Sequence, residues 1–444
     1  MIRLAGMDIH IFLTLLSRGW SVLAGGGTAL LIPAFLTPAQ QGYYYTFASV
    51  LAAQIFFELG LNHVLTQLTS HTAAHLRRET HGVLSGDQKW LVGLSSLLRL
   101  AARWNATMAT LFFAAALAGG GYFFSLKGTL PIMEWLPPWV ALIGATALNL
   151  AMSARLAICE GLGEVGQIAR LRMHQSMVGY AVLWVLLFSH QGLWAAVAVP
   201  AASAVMAIVW LSRHATLKQL RGAAYNLLDT DGVHRYTWRR DIFPLQWRIA
   251  LSWMSGYFIF NFLTPIVFSQ QGPVDAGRLG LAHTIFWSIL TLGISWVSAK
   301  VPAMSAHVAR HERKELNALF DRVAKRTVGV TALCVAAFVL IVEIGGQFAP
   351  AVLNRIPPLP ALLMMASATV ANAAIFAMAV YMRAHKEEPL LGQSLVTAVL
   401  IAVGAYGMAG HSLTAAVAAY SSVTLLVALP WVTIIYTTYR RRSE

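Results

Sequence analysis

Apolar residues run along this chain in continuous blocks instead of the one-sided stripes of a water-soluble helix, and short polar segments separate the blocks. Twelve such blocks, each near the ~20 residues that a helix needs to cross a bilayer, are centred near residues 22, 55, 113, 147, 182, 202, 257, 289, 337, 371, 400 and 425. The pattern predicts twelve transmembrane helices. Some connections are tight turns, as at residues 37–41 and 189–192. Three are longer: 69–104, 213–241 and 302–325. Each is basic with regularly spaced leucine or alanine, as in "LVGLSSLLRLAARW" and "HERKELNALFDRVAKR", which predicts amphipathic helices lying on a membrane surface.

The two halves carry a faint repeat. "TPAQQGYYYTFASVLAAQ" from Thr37 and "GPVDAGRLGLAHTIFWSI" from Gly272 each close one span and open the next. Pro38 and Gly42 fall on Pro273 and Gly277 at one constant offset, and both second helices run on to a basic loop containing His71 or His307. With six spans per half the repeats share one orientation, related by an axis along the membrane normal, and such pairs enclose a cavity near mid-bilayer. The fold class expected is an all-α integral membrane protein of about twelve transmembrane helices in two six-helix lobes related by a pseudo-two-fold. The lobes are residues 1–212 and 244–444, joined by a cytoplasmic linker at 213–243.

Composition agrees with lipid as the solvent: 57% of residues are hydrophobic, 11% are charged and the mean hydropathy is +0.62. The formal charge of +14 would suggest nucleic acid in a soluble protein. Here its distribution tells against that partner. Of 32 Lys and Arg, only Lys127, Arg278 and Arg355 fall in the loops of one side, and Arg18 falls within a span. The other 28 lie at the N-terminus, in or beside the opposite loops, Arg248 at the start of the seventh span among them, and in the C-terminal tail. The positive-inside rule places both termini in the cytoplasm, with the basic loops beside anionic head groups. Glu134, Asp275 and Glu343 offset the three outer cations. Arg3 precedes a long apolar run, but the run from Ile9 to Phe35 exceeds a signal-peptide core and reads as an uncleaved first span. Cys159 and Cys334 lie far apart in or beside apolar stretches, as buried thiols would.

Ionisable groups inside a span cost about 2.5–3.5 kcal/mol on insertion scales, so they are functional candidates by default. Arg18 and Glu58 each lie ~14–15 Å into their spans at 1.5 Å per residue. They suit either a structural ion pair or a role in binding and proton coupling. Gln54, Glu58 and Asn62 recur at every fourth position, one polar stripe on a continuous second helix, with Glu58 the ion-coupling candidate. Arg248 occupies the position of Arg18 early in the seventh span, while Asn261, His283 and Asn372 add polar groups to later spans. Arginine grips phosphate oxygens bidentately and stays charged when buried, and the position of Arg248 suits snorkelling to a lipid phosphate equally well. Gly25–Gly27 marks a bend or a close contact in the first span. Trp20, Trp247, Trp253, Trp287, Trp296 and Tyr43–Tyr45 offer rings for sugars or for an interfacial belt.

Several motifs lack their context. Gly161, Gly163 and Gly166 spell G-x-G-x-x-G with no strand before them and read as a helix stop. There is no Walker A sequence. His307 and His311 are not part of HExxH, the Asn105 sequon falls in a span, and no Ser, His and Asp grouping marks an outer loop.

The stretch "QQGYYYTFASVLAAQIFFELGLNHVLTQLTSH" resembles Wzx-type O-antigen flippases of the polysaccharide transporter family, within the multidrug/oligosaccharidyl-lipid/polysaccharide (MOP) exporter superfamily. The segment "CEGLGEVGQIARLRMHQ" from Cys159 resembles the loop between the fourth and fifth spans of those proteins. The resemblance implies a bacterial inner-membrane flippase that moves an undecaprenyl-diphosphate-linked oligosaccharide, an O-antigen repeat unit, to the outer leaflet for lipopolysaccharide assembly. It implies alternating access around a cationic cavity, with Arg18, Arg248, Gln54, Asn62, Asn261 and His283 as substrate-binding candidates. No cofactor and no metal are expected, and the coupling ion would be a proton or sodium. The expected partners are the lipid-linked cargo, membrane lipids and other polysaccharide-assembly membrane proteins, with the chain itself a monomer and not an enzyme. Two alternatives remain: a drug antiporter of the same superfamily, which would favour acids in its cavity, and a polymerase or acyltransferase acting on lipid-linked sugar, which would carry a larger outer loop.

Overall fold

The computed structural model describes residues 9–79, 83–223, 236–348, 353–385 and 389–442, without the side chains of 9–19, 21, 22, 245, 248 and 442. Ten helices among them are long and apolar enough to cross a membrane, from Gln88–Lys127 through Leu413–Arg441. They coincide with the last ten blocks of the sequence pattern. The second block is a bent pair, Pro38–Glu58 followed by Leu61–Ala73 at 44°. The first is helix α1 (Ile9–Phe35), a continuous helix of 27 residues. The remaining helix labels used below are α2 (Pro38–Leu51), α3 (Ile55–Glu58), α4 (Leu61–Ala73), α5 (Gln88–Ala115), α6 (Gly121–Lys127), α7 (Ile132–Gly161), α8 (Val165–Phe188), α9 (Ala198–Arg213), α10 (Ala215–Ala223), α11 (Phe243–Phe260), α12 (Leu263–Gln271), α13 (Pro273–Ser298), α14 (Val301–Ala309) and α15 (Arg313–Phe348).

Local chemistry explains where the helices start and stop. The Thr37 hydroxyl accepts from the Gln40 N–H at 3.2 Å and the Gln40 side chain accepts from the Thr37 N–H at 3.0 Å, a capping box with Pro38 at the first helical position. Asp87 caps α5 by accepting from the Lys89 N–H at 3.0 Å. The G-x-G-x-x-G run is the helix stop expected: α7 ends at Gly161, Gly163 takes φ +87°, and α8 opens at Val165. Asn105 is buried, its side chain donating to the Leu150 carbonyl at 3.0 Å and to Ser153 Oγ at 2.9 Å.

Two of the three long basic segments depart from expectation, while 213–241 does hold a separate basic helix, α10. In place of separate surface helices, residues 69–104 contain the end of α4, a hairpin of β1 (Leu76–Arg78) and β2 (Leu84–Gly86), and the start of α5, which runs on into its span. Residues 302–325 likewise divide between α14 and α15, the latter continuing to Phe348. Once a helix leaves the bilayer its hydrogen-bonding ladder costs nothing extra to extend, so the amphipathic turns become continuations of spans.

The described helices group into two compact units. One comprises residues 1–24, 51–125 and 131–254; the other comprises 25–50, 126–130 and 255–444. Each has an apolar core at the ends of its helices: Leu61, Leu65, Leu94, Leu97, Ile158, Ile168 and Leu217 in the first, and Val297, Met304, Phe320, Tyr381, Met382 and Val432 in the second. Many other large apolar side chains face outward, such as Leu30, Leu333 and Leu426 at 76%, 71% and 75% exposure, while Trp139 and Phe268 are fully enclosed. The outward-facing apolar surface suits a chain solvated by lipid.

Within the second unit the two repeat segments meet. Gly42 of α2 packs against the Pro273 backbone of α13, and Gly277 lies against the Gly42 backbone. The Gln41 side chain donates to the Gly277 carbonyl at 2.9 Å and to the Arg355 carbonyl at 3.2 Å. The residues paired by the sequence repeat are thus in mutual contact.

Candidate functional site

The second span is broken where its acid sits. Residues 52–54 form a 3-10 turn, α3 ends at Glu58, and Leu59 and Gly60 adopt left-handed conformations with φ of 52° and 68° before α4 resumes at Leu61. The polar stripe expected at Gln54, Glu58 and Asn62 on one continuous helix is therefore not formed as such. Gln54 belongs to the 3-10 turn, whose three-residue period rotates it away from the four-residue register. Glu58 and Asn62 do meet across the break, the Asn62 amide donating to the Glu58 carboxylate at 2.7 Å.

The break is held by its neighbours. A Cβ on Gly60 would press on the Ile249 side chain, and Ala250 lies just beyond, so α11 covers the interruption closely. Thr66, one turn further along α4, donates to the Asn62 carbonyl at 3.0 Å and lies 3.2 Å from the Ala157 carbonyl of α7. Phe57 packs edge-on to Phe112 of α5 at 5.5 Å. Two polar groups here are buried without a hydrogen-bond partner: the Asn62 side-chain oxygen, and both polar atoms of Gln246, which is 2% exposed and one turn before Ala250 on α11. Unsatisfied buried amides cost about 1–3 kcal/mol each, and non-helical backbone at membrane depth persists only inside protein or beside water. Asn62 and Gln246 both leave hydrogen-bonding capacity unmet inside the first unit.

A second interruption lies in the other unit. Span seven breaks at Asn261 and Phe262, between α11 and α12. The Asn261 N–H still donates to the Tyr257 carbonyl at 2.8 Å. Adjacent Phe260 packs on Trp287 at 5.2 Å and on Phe376 at 5.8 Å, and Trp287 lies 6.3 Å from the His283 ring in near-parallel orientation. Asn261 and His283 are thus joined through a short aromatic chain, in which Trp287 remains 42% exposed. Asn372, by contrast, is 5% exposed and donates to the Tyr420 hydroxyl at 3.1 Å, a packing contact.

Arg18 and Arg248 lie on α1 and α11, and their side chains, with the Arg18–Glu58 pairing, fall outside the described residues. The α1 helix continues through Gly25–Gly27 without a break, and the chain passes from the first unit to the second between Ala24 and Gly25. Cys159 and Cys334 are free thiols, the former buried.

Two features escaped sequence reasoning. Gln246 is an amide in an apolar run, a signal overshadowed by its neighbour Arg248. The other is a buried ion-pair cluster from three separate segments. The Glu164 carboxylate, wholly enclosed, is bound by Arg78 and by His214 Nε2 at 2.6 Å. Cys159, Glu164 and His214 offer ligand atoms within 4.8 Å of one another, but the Arg78 guanidinium already occupies the carboxylate and would repel a cation, so the cluster is read as an internal ion pair.

No protein-family model and no curated sequence matches the chain. Its fold does match solved structures from end to end. An inward-facing multidrug resistance MATE family transporter of the MOP superfamily aligns with TM-score 0.63 and 14% identity, covering 100% of this chain and 98% of that one. The lipid II flippase MurJ in an inward closed conformation aligns with TM-score 0.63 and 11% identity, over 96% of this chain and 87% of that one. An outward-facing MATE structure gives 0.57 and 14%, over 99% and 98%. The chain is a multi-pass helical membrane protein with the fold of MOP-superfamily transporters. At these identities the likeness is one of fold, and the cargo must be argued from the chain's own residues.

Proposed function

We propose that the protein is a flippase that carries a lipid-linked oligosaccharide on an undecaprenyl-diphosphate carrier across the bacterial inner membrane by alternating access. The observation that carries this reading is a fold shared over nearly the whole chain with the lipid II flippase MurJ. The resemblance at residues 40–71 narrows the cargo to an O-antigen repeat unit. Arg18 and Arg248 supply the charge for a diphosphate, Gln54, Asn62, Asn261 and His283 supply polar contacts, and the exposed ring of Trp287 supplies a stacking face for sugar. Glu58, at the broken second span beside Asn62, couples the cycle to a proton or sodium ion. The two six-helix lobes, 1–212 and 244–444, rock about the 213–243 linker, both termini lie in the cytoplasm, and the chain works as a monomer beside other polysaccharide-assembly membrane proteins. It makes and breaks no covalent bond in its cargo.

A drug-export reading is favoured by one observation, the equal TM-score of the MATE structure. Reconstituted liposomes decide between them. Wild-type protein should move a fluorescent undecaprenyl-diphosphate oligosaccharide to the far leaflet, Arg18→Ala should abolish movement, and Glu58→Gln should remove its dependence on an imposed ion gradient. Extrusion of organic cations without lipid movement would establish the drug antiporter instead, and elongation or acylation of the glycan would establish an enzyme.

A further inference from the structure

The face of α8 and α9 carries a cavity of about 910 Å³ whose polar end is basic. Arg78, Arg170, His174, Arg213 and His214 line it together with Trp210, and no acidic side chain does. The enclosed Glu164 beneath is engaged by Arg78 and His214, so three arginines stand over one carboxylate. Arg170 and Arg213 are exposed and form no ion pair with a described residue. Isolated guanidinium groups at a membrane-facing helix end are arranged to receive an oxyanion.

The cavity does not end there. Val205 and Met206 belong both to it and to a second, almost wholly apolar cavity of about 480 Å³ that continues along the same two helices past Val178, Val182, Ala198, Ala201 and Ala202. From Arg213 back to Ala198 the groove follows α9 for about 22 Å at 1.5 Å per residue. That length takes an acyl chain spanning one leaflet of a ~30 Å hydrocarbon core. Val205 is 60% exposed and Val178 46%, so the groove opens outward from the unit.

We propose that this groove is a binding site for an anionic phospholipid, its phosphate between Arg170 and Arg213 and one acyl chain along Val205, Ala202 and Ala198. The occupant is a lipid and not a soluble phosphate because the basic pocket opens directly into an apolar groove of chain length. It is a bilayer phospholipid because the groove faces away from the interior of its unit. The assignment does not depend on the cargo. A bound lipid there would bridge the α8–α9 hairpin to the β1–β2 hairpin through Arg78.

The test is native mass spectrometry of the detergent-solubilised full chain titrated with phosphatidylglycerol and with phosphatidylcholine of matched acyl chains. Phosphatidylglycerol should bind about tenfold more tightly, as expected when two charge-assisted contacts favour one head group. Arg170→Gln with Arg213→Gln should remove the preference, Arg170→Lys with Arg213→Lys should keep most of it, and Ala202→Trp should weaken both lipids by filling the groove. Thermal unfolding of each variant separates lost binding from lost fold. An undiminished preference in the double glutamine variant would overturn the proposal. So would displacement of phosphatidylglycerol by equimolar inorganic phosphate, which would mark a soluble-anion site, or binding of undecaprenyl phosphate alone, which would make the groove a path for cargo.

Discussion

Replacing Gly42 by alanine tests the contact on which the repeat closes. The new Cβ would sit 2.8 Å from the Pro273 Cα and 2.5 Å from its carbonyl carbon, and closer to the carbonyl oxygen. Favourable carbon contacts lie at about 3.5–4.0 Å, so α2 and α13 must part by roughly 1 Å. Neither wall is a flexible side chain, since backbone faces backbone, and parting also stretches the Gln41 bonds to the Gly277 and Arg355 carbonyls. Overpacking costs about 1–3 kcal/mol and an unmade buried hydrogen bond about 1–3 kcal/mol, so the loss should be roughly 2–6 kcal/mol. Gly277→Ala meets Gly42 at 2.8 Å from its nitrogen and should behave alike. Gly26→Ala is the control: nothing lies within 4 Å of its Cβ, and alanine in a helix should be neutral or gain about 0.5–1 kcal/mol. The assay is the monodisperse fraction surviving a heating series in detergent. Gly42→Ala as robust as wild type, or Gly26→Ala equally damaged, would refute the reasoning.

Gln246→Leu removes a buried amide without a partner and should raise thermal stability by about 1–3 kcal/mol; a variant that gains stability yet loses flipping would place Gln246 in the transport path, whereas lower stability would mean the amide is satisfied in the resting state. Glu58→Gln keeps the oxygen that accepts from Asn62, so folding should survive while gradient dependence is lost, and an unfolded product would return Glu58 to a structural role. The Asp87 carboxyl is held below the usual range, first by the Lys89 backbone N–H and then by the Lys89 side chain. Because its folded value is depressed, the cap is complete above the ordinary carboxylate range and is lost as pH falls through the lowered value. Amide exchange at Lys89 should therefore accelerate only at acid pH, and Asp87→Ala should abolish that dependence.

What the sequence revealed and what it concealed divide along one physical line. The positions of the ten long apolar helices and of the bent second span were legible because lipid demands an apolar block of fixed length, and the Pro38/Pro273 and Gly42/Gly277 matches were legible because close backbone approach admits no other residue. The hidden features depend on partners distant in sequence. Nothing in "FFELGLNHV" announces that Leu59 and Gly60 turn left-handed, since the break is held by Ile249 and Ala250 of another helix. Glu164, Arg78 and His214 likewise come from a helix junction, a hairpin and a helix end. The period of residues 69–104 reads as amphipathic helix, but it does not show that the turns extend α4 and α5 around a hairpin.

The two halves therefore share their closure and differ in their chemistry. At Gly42 and Gly277 the counterparts touch, and each opens a helix that begins with proline. The interruptions do not follow the repeat: one falls in span two, the other in span seven, whose counterpart in a six-span repeat is span one. The first break carries a carboxylate with an amide beside it, and the second carries Asn261 and leads through Phe260 and Trp287 to His283. A proton or sodium ion needs the acid, whereas a sugar needs rings and neutral donors. Coupling and recognition are then assigned to different spans, so variants at Glu58 should change the dependence on the gradient, and variants at Trp287 should change which glycan is carried.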